Sequence, residues 1–161
     1  MTLPAHDYLD RLAIPHERRS FPIATEKGAA SVARALGLRE RQMVKTLIFE
    51  LDTGERVLVM LGGDQNAISG HLKQALGSRN IRLASPDAVQ TTTGYAVGSI
   101  PPFHWQTGGF RSFMDEALSS ETQLGVGAGQ WGAEIIIAPQ HLVRATGARV
   151  VNLTDKNRNA C

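Results

Sequence analysis

The segment Val44-Lys45-Thr46-Leu47-Ile48-Phe49-Glu50-Leu51 constrains this chain more than any other. It is apolar, partly β-branched and closed by Asp52-Thr53-Gly54, so it reads as a β-strand ending in a turn. Arg56–Leu61 follows as a second strand, and the two are expected to form a hairpin. Alternation along the first strand puts Lys45 on the same face as Leu47, Phe49 and Leu51, a face that should point at a core. A lysine there needs an anionic partner, a water-filled pocket or a ligand. The plain alternative is a strand-start lysine that snorkels to solvent.

Around this hairpin the pattern is helical early and strand-like late. Tyr8, Leu9 and Leu12 share a face of a first short helix that Pro15 ends. A second helix is expected from Thr25, as N-cap, to Leu36, with Val32, Ala33 and Leu36 inward and Gly37 as its stop. Gly62-Gly63-Asp64 breaks the second strand. Ser69 is expected to cap a helix carrying Leu72, Ala75 and Leu76, and Ser85-Pro86-Asp87 to open another, with Pro86 at its first position. Beyond Gly94, short apolar pieces alternate with Gly and Pro. Ala96-Val97, Phe113-Met114, Leu124–Val126, Glu134–Ile137 and Val150-Val151 read as strands, with a short helix near His141–Ala145. The fold class is therefore mixed α/β, α+β in character, and not a regular βαβ repeat.

At 161 residues the chain is expected to form one domain with a sizeable core. Its net charge of +2 permits contact with nucleic acid without requiring it. The one cysteine, Cys161, allows no intrachain disulfide. Residues 1–7 lack the basic and apolar regions of a signal peptide, and no apolar run has the length of a membrane span. A cytoplasmic protein is expected.

Several familiar chemistries find no support. The five histidines are scattered without metal-ligand spacing, so neither metal nor cofactor is expected. No nucleophile elbow and no phosphate-binding P-loop occur. Gly127-Ala128-Gly129-Gln130-Trp131-Gly132 matches a dinucleotide fingerprint, but the strand-like Ala133–Ile137 follows where a helix should start. A glycine-rich turn that lets backbone approach something closely is the better reading. The stretch Thr93-Gly94-Tyr95 through Gly98-Ser99-Ile100-Pro101-Pro102-Phe103 is a loop of fixed shape, stiffened by its two prolines. It can aim the N–H groups of Gly98, Ser99 and Ile100, or it can be a structural turn between strands.

Taken together, these residues resemble the YbaK-type aminoacyl-tRNA deacylases, a family that includes the editing domain inserted in bacterial prolyl-tRNA synthetases. The landmarks are Val44-Lys45-Thr46-Leu47, Thr93-Gly94-Tyr95 with the Gly98…Pro102 loop, the Ala128-Gly129 turn and Gly132-Ala133-Glu134-Ile135. The resemblance implies a partly open, mixed β-barrel-like sheet surrounded by helices in a single domain over residues 1–161. It implies hydrolysis of the ester between a wrong amino acid and the 3′ end of tRNA, with Lys45 and Gly98 as catalytic residues. Phe21, Thr46, Gly94, Tyr95, Ser99, Ile100, Pro102, Gly127, Ala128, Gly129 and Glu134 would bind the substrate. Phe21 and Gly127 stand where Cys-specific members place a Tyr and a Ser, and His104 follows Phe103 where a glycine is common.

The implied partners are the 3′ end of aminoacyl-tRNA and, beyond it, prolyl-tRNA synthetase, with neither DNA nor a membrane. An aminoacyl ester is already activated, so holding its carbonyl, orienting water and stabilising the oxyanion suffice. Two alternatives stand beside this reading: a non-catalytic module that binds tRNA ends or aminoacyl nucleotides, and a small-molecule hydrolase on the same fold.

Overall fold

The computed structural model describes residues 2–156, so Cys161 lies outside it. In chain order the elements are α1 (Pro4–Arg11), β1 (Glu17–Ser20), α2 (Ala29–Leu36), β2 (Val44–Leu51), β3 (Arg56–Gly62), α3 (Ser69–Leu76) and β4 (Ile81–Leu83). They continue with α4 (Pro86–Thr93), β5 (Ser112–Asp115), β6 (Leu124–Gly127), β7 (Ala133–Ile137), α5 (Pro139–Thr146) and β8 (Arg149–Val151). The expected hairpin forms, with β2 and β3 in register from Val44 opposite Gly62 to Glu50 opposite Arg56.

That hairpin is the centre of a mixed sheet of order β4-β2-β3-β5-β8. β4 joins β2 antiparallel, whereas β5 and β8 add in parallel on the other side. A second, antiparallel sheet has the order β1-β7-β6. Neither sheet closes on itself. A single parallel bridge between Met43 and Gly125 joins them.

Residue alternation on β3 sorts the interior. Leu58 and Met60 point into the main core with Ile48, Met114, Leu124, Val126, Ile135 and Ile137. Val57, Val59 and Leu61 point the other way, against Leu72 and Leu76 of α3. Leu47, Phe49 and Leu51 belong to that second cluster, so the face that carries Lys45 does meet a core. A third cluster lies under α2, where Val32, Ala33 and Leu36 pack with Phe21 and Met43.

Several boundaries differ from expectation. α2 begins at Ala29 behind Gly28, not at Thr25, whose N–H instead closes a turn onto the carbonyl of Pro22. Ser69 is the first residue of α3 and Ile68, in extended conformation, its cap, with the Ile68 N–H donating to the Leu153 carbonyl. Ser85 does cap α4, accepting the Ala88 N–H at 3.1 Å. Ala96-Val97 is no strand but an exposed turn, with Val97 65% exposed. β1 and β4 were not legible. β1 is Glu-Arg-Arg-Ser with every residue exposed, a charged edge that carries no apolar period, and β4 has three residues.

β3 runs through Gly62, and Gly63 marks where it meets the segment before β2. A Cβ on Gly63 would stand 2.8 Å from that of Ala29 and 2.9 Å from the Met43 carbonyl, both rigidly placed. Gly63→Ala should therefore destabilise the fold by about 1–3 kcal/mol, as overpacking does. Gly70→Ala, in the first turn of α3 with open space around it, should stabilise by about 0.4–1 kcal/mol. Urea midpoints of the two variants, which should move in opposite directions, check this.

Candidate active site

One strand of the three-stranded sheet, β6, has a bare face. Leu124 and Val126 of β6 point into the main core, which leaves Gly125 and Gly127 on the opposite face. On β7 the same alternation sends Ile135 and Ile137 inward and turns Glu134 to the side of the two glycines. A cavity of about 360 Å³ lies there, between this face, the start of β2, the N-terminal end of α2 and the loop at residues 97–100.

The loop is held by the hairpin that joins β6 to β7. The Gly129 N–H donates to the Ser99 carbonyl at 2.9 Å. A Cβ on Gly127 would stand 2.9 Å from the Ser99 and Ile100 carbonyl oxygens. Gly127 is thus a site of close backbone approach, as the glycine-rich turn suggested, and the dinucleotide fingerprint is a β-hairpin. Gly98 itself has φ +115, and a Cβ there would meet nothing within 4 Å. No hydrogen bond from the N–H groups of Gly98, Ser99 or Ile100 occurs among the described residues.

Lys45 lines the cavity half-buried, and its Nζ donates to the Gln65 carbonyl and, at 3.3 Å, to Asn66 Oδ1. Both acceptors are neutral, so the ammonium has no carboxylate partner among the described residues. Glu134 is the opposite case. It is 8% exposed and makes no hydrogen bond or ion pair among the described residues. Burial pushes its carboxyl from the ordinary 4.5 to about 8. Asp115, fully buried elsewhere, is satisfied by the Leu153 N–H at 2.8 Å and the Thr154 hydroxyl at 2.6 Å.

Of the residues singled out in the sequence, Phe21, Lys45, Thr46, Gly98, Ser99, Ile100, Gly127 and Glu134 line this one cavity. Gly94, Tyr95, Pro102, Ala128 and Gly129 do not. Gly94 is the left-handed stop of α4. Ala128 is buried in the main core, Pro102 is buried and accepts from Gln106, and Gly129 anchors Ser99. The Tyr95 hydroxyl lies 2.7 Å from His104 Nε2. Burial raises the Tyr95 phenol and lowers the His104 imidazole. His104 has φ +79, a left-handed conformation that explains why a glycine suits this position.

Sequence reading missed part of the cavity lining: Trp131, Lys27 and Met43. Trp131 packs edge-on to Phe21 with ring centroids 4.8 Å apart, and its indole N–H donates to the Ile23 carbonyl at 2.9 Å. Lys27 Nζ sits 3.7 Å from the centre of the Trp131 ring. Met43 completes the floor beside Glu134 and Gly125. The alternating glycines of Leu124-Gly125-Val126-Gly127 were the available signal, since a strand bare on one face leaves room for something else.

The profile of the aminoacyl-tRNA editing domain matches residues 24–145. The chain belongs to the aminoacyl-tRNA editing domain family. The matched residues run from before α2 to the end of α5 and so include β2, the loop and the β6–β7 hairpin. Among curated relatives, a candidate Cys-tRNA(Pro)/Cys-tRNA(Cys) deacylase, EbsC of Enterococcus faecalis, is 24% identical over 89% of this chain and 87% of its own length. A proline–tRNA ligase of Maridesulfovibrio salexigens is 30% identical over 77% of this chain, which spans 20% of that ligase. A crystal structure described as a candidate trans-editing enzyme for prolyl-tRNA synthetase superposes with TM-score 0.84 at 25% identity, covering 96% of this chain and 99% of the other. The mixed α/β architecture is that of editing domains.

Glu134 links this editing-domain cavity to stability. Its folded-state value lies above the ordinary one, so the native state binds the extra proton between about pH 4.5 and 8. Stability from this group is present below pH 4.5 and is lost as pH rises toward 8, by up to about 1.4 kcal/mol per pH unit. Glu134→Gln removes that loss. Its melting temperature should exceed the wild type's at pH 8, and the gap should close toward pH 5. Thermal melts across this range check the sign.

Proposed function

We propose that this protein is a trans-acting aminoacyl-tRNA deacylase that hydrolyses the ester of mischarged tRNA. The observation that carries the reading is one cavity edged by unbonded loop N–H groups and by a lysine without a carboxylate partner. The N–H groups of Gly98, Ser99 and Ile100 suit an ester carbonyl whose oxygen becomes negative in the transition state. The Lys45 ammonium suits a phosphate of the terminal nucleotide. No nucleophilic side chain is required, because the ester is activated: a water assisted by the neighbouring ribose hydroxyl can attack the carbonyl, releasing the free amino acid and returning the ribose 3′-hydroxyl. Family membership and the names of the relatives support the same reaction, and they favour tRNA(Pro) carrying a small wrong amino acid as substrate.

Selectivity in this reading comes from volume. Phe21 and Gly127 carry no hydroxyl, and Gly127 has no room for one beneath the Ser99–Ile100 backbone. Such a pocket accepts several small acyl groups with graded rates of roughly 10–200-fold range. Alanyl esters should be cleaved and prolyl esters spared. A cytoplasmic location and a hand-over from prolyl-tRNA synthetase belong to this proposal. Among the described residues no helix is long and apolar enough to cross a membrane.

The test is loss of ester from tRNA(Pro) charged with Ala, Cys, Ser or Pro. Lys45→Ala should slow Ala-tRNA(Pro) cleavage by about 100-fold or more while leaving the urea midpoint near that of the wild type. Wild-type rates in that variant would make Lys45 structural, and absence of cleavage by the wild type would favour a binding module. Gly98→Ala forces a side chain into φ +115. It should slow every accepted ester, on the order of 10- to 100-fold, by misplacing the loop donors. Unchanged rates there would remove the loop from the mechanism.

A further inference from the structure

We infer that Glu134 is the receptor for the α-ammonium group of the aminoacyl ester, so that the cavity selects an amino acid with a free amine. This rests on the deacylase reading of the same cavity. Glu134 lacks a partner for its carboxyl among the described residues. An unpaired carboxylate is among the costliest groups to bury, and buried acids are ordinarily hydrogen-bonded or ion-paired. Asp115 obeys that rule with two donors. Glu134 is buried to 8% exposure against 0% for Asp115, faces a cavity and has neither donor.

The protein's own cations do not reach it. Lys45 Nζ is held by Gln65 and Asn66, Lys27 Nζ lies over Trp131, and Arg19, the cross-strand neighbour of Glu134 on β1, is turned to Glu17 and the Leu36 carbonyl. The remaining charged group on the cavity wall, Glu40, is exposed and of the same sign as Glu134. Glu134 Oε2 instead lies against the bare face of β6, 3.3 Å from where a Cβ on Gly125 would stand, beside the Met43 side chain. The partner must therefore come with the ligand, and the cationic group of an aminoacyl ester is its α-ammonium.

The spacing agrees. Glu134 is the register partner of Gly127, and the Ser99–Ile100 backbone rests on Gly127. The backbones of the paired strands are ~4.8 Å apart, so the acid on β7 and the loop seated on β6 are neighbours across one strand pair. An α-amino acyl group bridges that distance with its carbonyl toward the loop and its amine toward Glu134. The proton balance is simple. The free carboxyl holds a proton at neutral pH, so pairing with an ammonium releases one proton to solvent, and the bound pair keeps one. The same residue that weakens the empty fold at high pH is satisfied when the ligand arrives.

The test uses two non-hydrolysable probes, 3′-(L-alanylamino)-3′-deoxyadenosine and its N-acetyl derivative, with binding followed by calorimetry. Wild type should bind the free amine about 10-fold or more tighter than the acetylated probe, the range expected of a charge-assisted contact. It should release a proton on binding the free amine at pH 7. Glu134→Gln should lose both the preference and the proton release, while its affinity for the acetylated probe stays within about 2-fold of wild type. A variant that keeps the preference overturns the inference, as does a wild type that shows none or binds neither probe. The outcomes separate from those of the deacylation assay. Ester cleavage without amine preference sinks this inference alone, and amine-selective binding without cleavage sinks the enzymatic reading alone.

Discussion

The Ser99 carbonyl accepts the Gly129 N–H at 2.9 Å and stands 2.9 Å from where a Cβ on Gly127 would be. Every feature of the cavity depends on this contact between a loop and a hairpin. It fixes the positions of Gly98, Ser99 and Ile100, whose N–H groups are left unbonded, and it sets the distance from those groups to Glu134 on the next strand. The contact is possible because β6 presents only Gly125 and Gly127 on that face, while Leu124 and Val126 hold the other face in the main core. One strand thus anchors the fold with two side chains and makes room for the site by lacking two.

The electrostatics follow from the same layout. Lys45 and Glu134 sit in one cavity wall, yet neither neutralises the other. Lys45 is turned to the Gln65 carbonyl and Asn66, and Glu134 to the apolar floor by Met43. A direct ion pair would satisfy both and leave no charge for a ligand. Keeping them apart leaves a cation and a protonated acid available, at the expense of folding stability at high pH. Perturbed, unpaired groups in a concave site are a signature of function because the fold alone does not benefit from them.

The outer shell rigidifies the loop from behind. Tyr95 hydrogen-bonds His104, whose ring centroid is 6.4 Å from that of Tyr8, and Tyr8 stacks on buried Phe103 with ring centroids 5.6 Å apart. The Tyr8 hydroxyl donates to the Ala145 carbonyl at 2.7 Å, which ties α1 to α5. These contacts give Tyr95 a part in the loop's support without a place in the cavity lining.

The sequence by itself determined the β2–β3 hairpin, the placement of Lys45 on its core-facing side, the helix stops at Gly37 and Gly77 and the mixed α/β class. All of these rest on local periodicity and turn chemistry, which a residue carries wherever it sits. Comparison of motifs along the chain also named eight residues that meet in one cavity. Only the tertiary structure decided the rest. It moved the start of α2 to Ala29, with Thr25 taken up in a turn onto Pro22, made a turn of Ala96-Val97, and added the charged edge strand β1, whose partner β7 is distant in sequence. It brought Trp131, Lys27 and Met43 to the cavity, since residues on separate elements share no period. The state of Glu134 was likewise invisible in sequence: a glutamate on a strand has an ordinary carboxyl until packing removes water from one side and offers no partner on the other.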